Sequence, residues 1–151
     1  IVDAQGEPLL ESYVKPTRPI PPDAMAIHGI TDAMVADAPT IIELEPDIRR
    51  AIQDRAVIVY NAEFDMRLLR HSSAARACNI NWREMPRRWL CAMQAYAEYR
   101  GEPGRTYGEY RWHKLEAAAR NEGIPVERAH SALADCLTTS RRVRRLAEIG
   151  E

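Results

Sequence analysis

The sequence lacks the features of membrane proteins and of disulfide-rich secreted proteins. No apolar run reaches the length of a membrane span. The three cysteines, Cys78, Cys91 and Cys136, are odd in number and show no Cys-x-x-Cys spacing, so they predict neither a disulfide framework nor a zinc site. A reducing cytoplasm is the simplest setting for such cysteines.

Lysine is also scarce, because Lys15 and Lys114 are the only two and arginine carries the rest of the positive charge. The net charge is −1, which neither supports nor excludes a nucleic-acid partner. The densest basic run is Arg141-Arg142 with Arg144-Arg145. We expect this run to be a solvated helix face, although arginine also suits bidentate phosphate contacts.

The pattern of apolar and turn-forming residues predicts an α/β domain with a mixed sheet, in a length that fits one compact domain. A hairpin around Gly6 should open it, and the apolar run 56–60 should be a central strand buried on both faces. Phe64, Leu68 and Leu69 should face the core from the helix that follows. The predicted strands cover 1–3, 9–14, 56–60 and 89–93. The predicted helices cover 23–27, a short turn after Thr31, 40–54, a helix from 62, a helix through 99, 112–122 and 131–148.

Several helix ends are also predicted by local sequence. Gly29 should close the first helix, Thr31 should cap the second, and a Thr40-x-x-Glu43 capping box should open the third. Pro46 should either kink this third helix or mark its true start. Its buried stripe should be Leu44, Ile48 and Ile52, and Gly123 with Ile124 should form a Schellman cap after 112–122.

The first chemical signal is a carboxylate directly after the predicted central strand, in the segment Asn61-Ala62-Glu63-Phe64-Asp65. Ligand sites in α/β sheets favour the carboxyl ends of strands. A purely structural interpretation is that Asp65 favours the helix dipole while Asn61 caps the helix. Both interpretations fit this segment taken alone.

The second signal is His130 five residues ahead of Asp135, at the opening of the last predicted helix. Phosphodiester hydrolysis needs carboxylates that hold divalent metals and a base that deprotonates water. By itself, His130 is more typical of a capping or surface histidine. The two segments together provide both kinds of group.

A third block, residues 20–31 with the sequence IPPDAMAIHGIT, stands ahead of these two in the chain. The three blocks, in this order, resemble the DnaQ-like DEDDh 3′-to-5′ exonuclease family, which includes proofreading subunits of bacterial DNA polymerase III and RNase T. The resemblance implies an RNase H-like mixed sheet flanked by helices. It also implies a nucleic-acid substrate with a 3′ end, most simply single-stranded, and a DNA polymerase as a candidate partner.

The resemblance also implies roles for matched residues. Asp135 matches a direct metal ligand, Asp65 matches a ligand acting largely through water, and His130 matches the general base. The implied cofactors are two Mg²⁺ or Mn²⁺ ions, hard cations suited to carboxylate oxygens. The implied substrate-binding residues are Phe64, Asn61, His28 and Asp23, although His28 could instead close its own loop.

The family's first motif, Asp-x-Glu on the opening strand, is absent from the sequence. The chain starts with Ile1-Val2-Asp3, without an initiator methionine or a signal-peptide pattern. We therefore expect residues 1–151 to be an exonuclease domain that is N-terminally incomplete and lacks its first strand. Without that strand's carboxylates, we expect the chain as given to be inactive. The alternative is a catalytically inactive module of the same fold that binds nucleic acid or a partner.

Overall fold

The computed structural model describes residues 1–126 and 131–149. The chain divides into two compact units, the first formed by residues 1, 8–57 and 63–88 and the second by residues 2–7, 58–62 and 89–151. The described elements are α1 (Pro22–His28), α2 (Asp32–Val35), α3 (Ile41–Ile52), β1 (Ala56–Val59), α4 (Ala62–Ala74), β2 (Arg88–Cys91), α5 (Ala92–Arg100), α6 (Leu115–Asn121) and α7 (Ala132–Ile149). Strands β1 and β2 pair in a two-stranded parallel sheet. None of the described helices is both long enough and apolar enough to cross a membrane.

Helix α3 builds much of the core of the first unit. Its start is a capping box, in which the Glu43 amide donates to Thr40 Oγ1 and the Thr40 amide donates to Glu43 Oε2. The predicted apolar stripe is confirmed, since Leu44, Ile48 and Ile52 are buried. Pro46 lies inside the helix, so the helix does not begin there.

Helices α1 and α2 follow their predicted caps. Gly29 ends α1 with a positive φ of 74°, which glycine adopts at low cost, and its amide donates to the Met25 carbonyl at 2.8 Å. Thr31 Oγ1 accepts a hydrogen bond from the Met34 amide at the start of α2. Both short helices are therefore specified by local sequence.

The predicted burial of Phe64 and Leu68 is wrong. Phe64 is 45% exposed and Leu68 is 48% exposed, whereas Met66 and Ser73 are the buried residues of α4. The helical period was predicted correctly, but the face was not. The Ser73 hydroxyl accepts from the indole N–H of Trp82, which draws the polar residue inward.

The burial predicted for β1 is also wrong. The strand exposes Ala56 and Ile58 and half-buries Val57 and Val59. This alternation is typical of a strand covered on one face. An apolar run does not distinguish the two cases when every residue in it is apolar.

The predicted hairpin forms only near its turn, where the Leu9 amide also donates to the Ile1 carbonyl at 2.9 Å. The Asp3 amide donates to the Glu7 carbonyl at 2.9 Å, and the Asp3 carboxylate accepts from the amides of Gln5 and Glu7. Residues 9–14 form no strand. The pairing ends at Leu10, whose carbonyl accepts from the Ile1 amino group at 2.7 Å. Three residues on one side are too few for a regular two-stranded ladder.

The second unit has a core of small and aromatic side chains. Tyr96, Ala118 and Ala119 are fully buried, and α6 packs against α7. Helix α6 ends in the predicted Schellman cap, where Gly123 has a φ of 67° and the Ile124 amide donates to the Ala119 carbonyl. Small alanines allow the close approach of the two helices.

The basic run near the C-terminus is not wholly solvated, so that prediction is wrong for Arg142. Arg142 is 1% exposed, while Arg141, Arg144 and Arg145 are exposed. Its guanidinium carbon lies 3.8 Å from the ring centroid of Tyr96 and 5.7 Å from that of Tyr60. The two aromatic faces attract the cation and account for its inward position.

Candidate active site

The Asp65 segment lies where the sequence predicts it. Asn61 directly precedes α4, and Phe64 and Asp65 occupy the first turn of that helix, immediately after β1. Asn61 and Asp65 are half-buried, and the Phe64 ring is exposed with the Arg67 guanidinium 5.5 Å from its centroid. A planar ligand can stack on an exposed aromatic ring such as this one, which lies beside a cation.

Partial burial makes the charged form of the Asp65 carboxyl group less favourable. Burial raises the pKa of Asp65 above its usual range, and a backbone hydrogen bond at the same residue opposes the rise. A nearby cation would restore the ionised form, because opposite charge favours it.

Asp135 lies in the first turn of α7 and is half-buried. Its amide donates to the Ser131 carbonyl at 2.9 Å, and its own carbonyl accepts from the Thr139 hydroxyl at 2.8 Å. The backbone of this residue is thus fixed by the helix on both sides. His130 lies outside the described residues.

His28 and Asp23 lie on α1. His28 is half-buried at the end of the helix, and its Nδ1 accepts a hydrogen bond from the Ile30 amide at 3.0 Å. This bond matches the loop-closing role considered for His28. Asp23 is exposed in the first turn.

The predicted site residues divide between the two units. Asp23, His28, Phe64 and Asp65 belong to the first, and Asn61 and Asp135 belong to the second. Carboxylate oxygens suit Mg²⁺ or Mn²⁺. However, the described residues contain no group of three or more His, Cys, Asp or Glu side chains that could hold an ion. The donor type fits the expected metals, but two carboxylates are too few for two ions.

Sequence reasoning missed a small pocket in the second unit. It has a volume of about 280 Å³ and is lined by Tyr60, Asn61, Met93 and residues 112–115. The available signal was the tryptophan at position 112, a large aromatic residue in a polar stretch just before α6.

Comparison with known proteins identifies the family. The Exonuclease family model of the RNase T type matches residues 1–141. The chain therefore belongs to the RNase T exonuclease family. The DnaQ-like resemblance predicted from the three motifs is confirmed.

This exonuclease family member has relatives in a phage and in bacteria. It is 43% identical over 153 residues to the uncharacterized exonuclease CP81 of Escherichia phage 186, covering 99% of the chain and 78% of that protein. It is 34% identical over 143 residues to exodeoxyribonuclease 10 of Escherichia coli K12, covering 93% of the chain and 55% of the relative. The family member thus spans about half the length of the bacterial relative.

A solved structure supports the fold. Exonuclease X in complex with 5′ overhanging duplex DNA matches with a TM-score of 0.58 and 28% identity, over 91% of this chain and 72% of that chain. The predicted α/β, RNase H-like fold is therefore confirmed for this exonuclease family member.

Proposed function

We propose that residues 1–151 form a 3′-to-5′ exonuclease domain that hydrolyses phosphodiester bonds at the ends of DNA or RNA. The observation that carries the proposal is the placement of the two motif aspartates. Asp65 and Asp135 each lie half-buried in the first turn of a helix, and Asp65 directly follows a strand. Family membership supports nuclease chemistry at these positions.

We propose divalent Mg²⁺ or Mn²⁺ as cofactors, with Asp135 as a direct ligand and Asp65 as a ligand through water. Two ions would lower the pKa of the attacking water and stabilise the leaving oxygen. Asp65 and Asp135 alone do not provide enough oxygens for two ions. The proposed two-ion site therefore also needs the carboxylate pair of the family's first motif.

The proposed general base is His130. A neutral imidazole accepts a proton from water near neutral pH, which suits it to this step. Its spacing of five residues from Asp135 supports the assignment. Turnover should rise with pH through the neutral range as the imidazole loses its proton.

The proposed substrate is a single-stranded or frayed 3′ end. The exposed Phe64 ring supports this choice, because base stacking on an aromatic face needs an unpaired base and tolerates any sequence. The proposed polar contacts with the substrate are Asn61, Asp23 and the outer edge of the His28 ring. A blunt duplex should be digested more slowly than the matching single strand.

The test uses the full-length protein and an oligonucleotide labelled at its 5′ end, with Mn²⁺ present. A 3′-to-5′ exonuclease gives a ladder of shortened labelled strands, whereas the opposite polarity releases a labelled mononucleotide at once. His130→Ala should lower turnover by about 10²-fold or more while leaving Mn²⁺ affinity nearly unchanged. Asp135→Asn should reduce Mn²⁺ affinity more than Asp65→Asn.

Asp47→Asn is the matched control, because Asp47 is a partly exposed carboxylate that pairs with Arg50 on the surface of α3. It should retain turnover and metal affinity. No cleavage by the full-length protein would favour the alternative of a binding module without activity. Full turnover in His130→Ala would exclude that residue as the base.

A further inference from the structure

The pocket in the second unit lies where two strands end. Tyr60 and Asn61 directly follow β1, and Met93 follows β2 by two residues. The opposite wall is the segment Trp112-His113-Lys114-Leu115 at the start of α6. Ligands of α/β proteins bind preferentially at this end of the strands.

The walls of the pocket are fixed by hydrogen bonds. The Tyr60 phenol donates to the His113 carbonyl at 2.7 Å, and the Met93 amide donates to the Tyr60 carbonyl at 3.0 Å. The His113 ring packs edge-on against Tyr96, with 5.3 Å between centroids. Its Nε2 also lies 3.4 Å from a carboxylate oxygen of Glu102. The tryptophan and lysine beside His113 therefore extend from an anchored backbone.

The lining combines three kinds of recognition group. Trp112 is 62% exposed and offers a broad aromatic face. Lys114 is exposed and provides a positive charge close in sequence to Trp112. The half-buried Asn61 offers an amide that both donates and accepts hydrogen bonds. An aromatic face suits a nucleobase, the ammonium suits a phosphate, and the amide suits the polar edge of the base.

The volume limits the size of the ligand. At about 280 Å³, the pocket lies just below the range of roughly 300–1,000 Å³ typical of small-molecule sites. It therefore suits one base and its sugar rather than a longer segment.

We propose that this pocket binds one unpaired nucleotide of a single-stranded nucleic acid, with the base stacked on Trp112 and a phosphate on Lys114. The proposal rests on the proposed function, because it takes the substrate to be nucleic acid. It adds a second stacking position to the exposed Phe64 of α4. In this arrangement Trp112 contributes to substrate affinity and has no part in the chemical step.

The test measures binding of two fluorescent oligothymidylates to the full-length protein by anisotropy, with Ca²⁺ in place of Mg²⁺ and Mn²⁺ to slow cleavage. One probe is intact, and the other carries abasic sites along the strand. Trp112→Ala should weaken binding of the intact probe by about 5-fold to 100-fold, the usual loss of one stacked base. It should change binding of the abasic probe little, and Trp112→Phe should retain most of the affinity.

Two further variants test whether the change in binding is specific to the pocket. Tyr107→Ala is the matched control, because Tyr107 is a fully exposed aromatic residue outside the pocket lining, so its loss should leave both affinities unchanged. Lys114→Ala should reduce the slope of log affinity against log salt by about 1, as expected for one lost phosphate contact.

The outcomes separate this proposal from the proposed function. If the wild-type protein shortens strands from their 3′ ends but Trp112→Ala binds both probes normally, the pocket proposal is wrong and the function stands. If Trp112→Ala removes base-dependent binding from a protein that never cleaves, the pocket proposal stands and the function is wrong. A wild-type protein that binds neither probe would overturn both.

Discussion

Replacing the buried Arg142 with methionine should stabilise the protein. Arg142 is 1% exposed, and its Nε and both terminal nitrogens are buried without a hydrogen-bond partner in the part of the chain that the structure describes. Burial also lowers the pKa of the Arg142 guanidinium. Methionine keeps an unbranched apolar stem of similar length and removes the charge, so it removes the cost of the unpaired donors.

The magnitude follows from two opposing terms. The contacts with the rings of Tyr60 and Tyr96 contribute roughly 2 kcal/mol, since they are desolvated. Each buried donor group without a partner costs about 1–3 kcal/mol, and there are three such nitrogens. Three such costs less the ring contacts give a net gain of about 1–7 kcal/mol. The free energy of unfolding of Arg142→Met should exceed that of the wild type by about 1–4 kcal/mol, the lower part of this range, as found when other buried charges are replaced.

Urea unfolding followed by circular dichroism measures this difference, and the melting temperature should rise by about 2–4 °C per kcal/mol in a chain of this size. Arg142→Ala should be about 2–5 kcal/mol less stable than Arg142→Met, because it removes the same charge but leaves a cavity. Arg145→Met is the control on the same helix. Its surface pair with Glu148 should be worth less than about 1 kcal/mol. If Arg142→Met is as unstable as Arg142→Ala, the guanidinium has acceptors and the reasoning fails.

Two other perturbations test the fold of each unit. In the second unit, burial raises the pKa of Tyr60 from 10.0 to about 12. The unfolded chain therefore loses the phenolic proton first, and stability should fall as the pH rises from about 10 to about 12. Tyr60→Phe should remove about 1 kcal/mol of that fall, since solvent screens the half-exposed phenol, and an unchanged pH slope in urea unfolding would contradict it. In the first unit, Thr40→Ala should cost about 1 kcal/mol by removing the capping box of α3, whereas the exposed Thr17→Ala should cost almost nothing. Equal midpoints for these two variants would show that the cap contributes little.

The features that sequence predicted well are those decided by neighbouring residues. The capping box at Thr40 and the glycine ends of α1 and α6 each depend on a few consecutive residues, so the pattern contains the required information. The positions of Asp65 and Asp135 on the first turns of helices were predicted for the same reason. The family motifs added the order of the blocks, which local patterns do not provide.

The features that sequence did not predict depend on distant partners. Arg142 is buried because two aromatic rings, 82 and 46 positions earlier in the chain, face it. Phe64 is exposed because another face of α4 is turned inward with Ser73. Helical spacing identifies which apolar residues share one face of a helix, but not how deeply that face is buried. The pocket beside Trp112 likewise requires three separated segments, so no single motif marks it.

The hydrogen bond within the loop after α1 fixes the tautomer of His28. Because Nδ1 accepts from the Ile30 amide, the neutral ring carries its proton on Nε2. The outer edge of the ring is then a donor and has no lone pair to offer. A ligand that meets this edge must therefore present an acceptor, such as a phosphate or sugar oxygen.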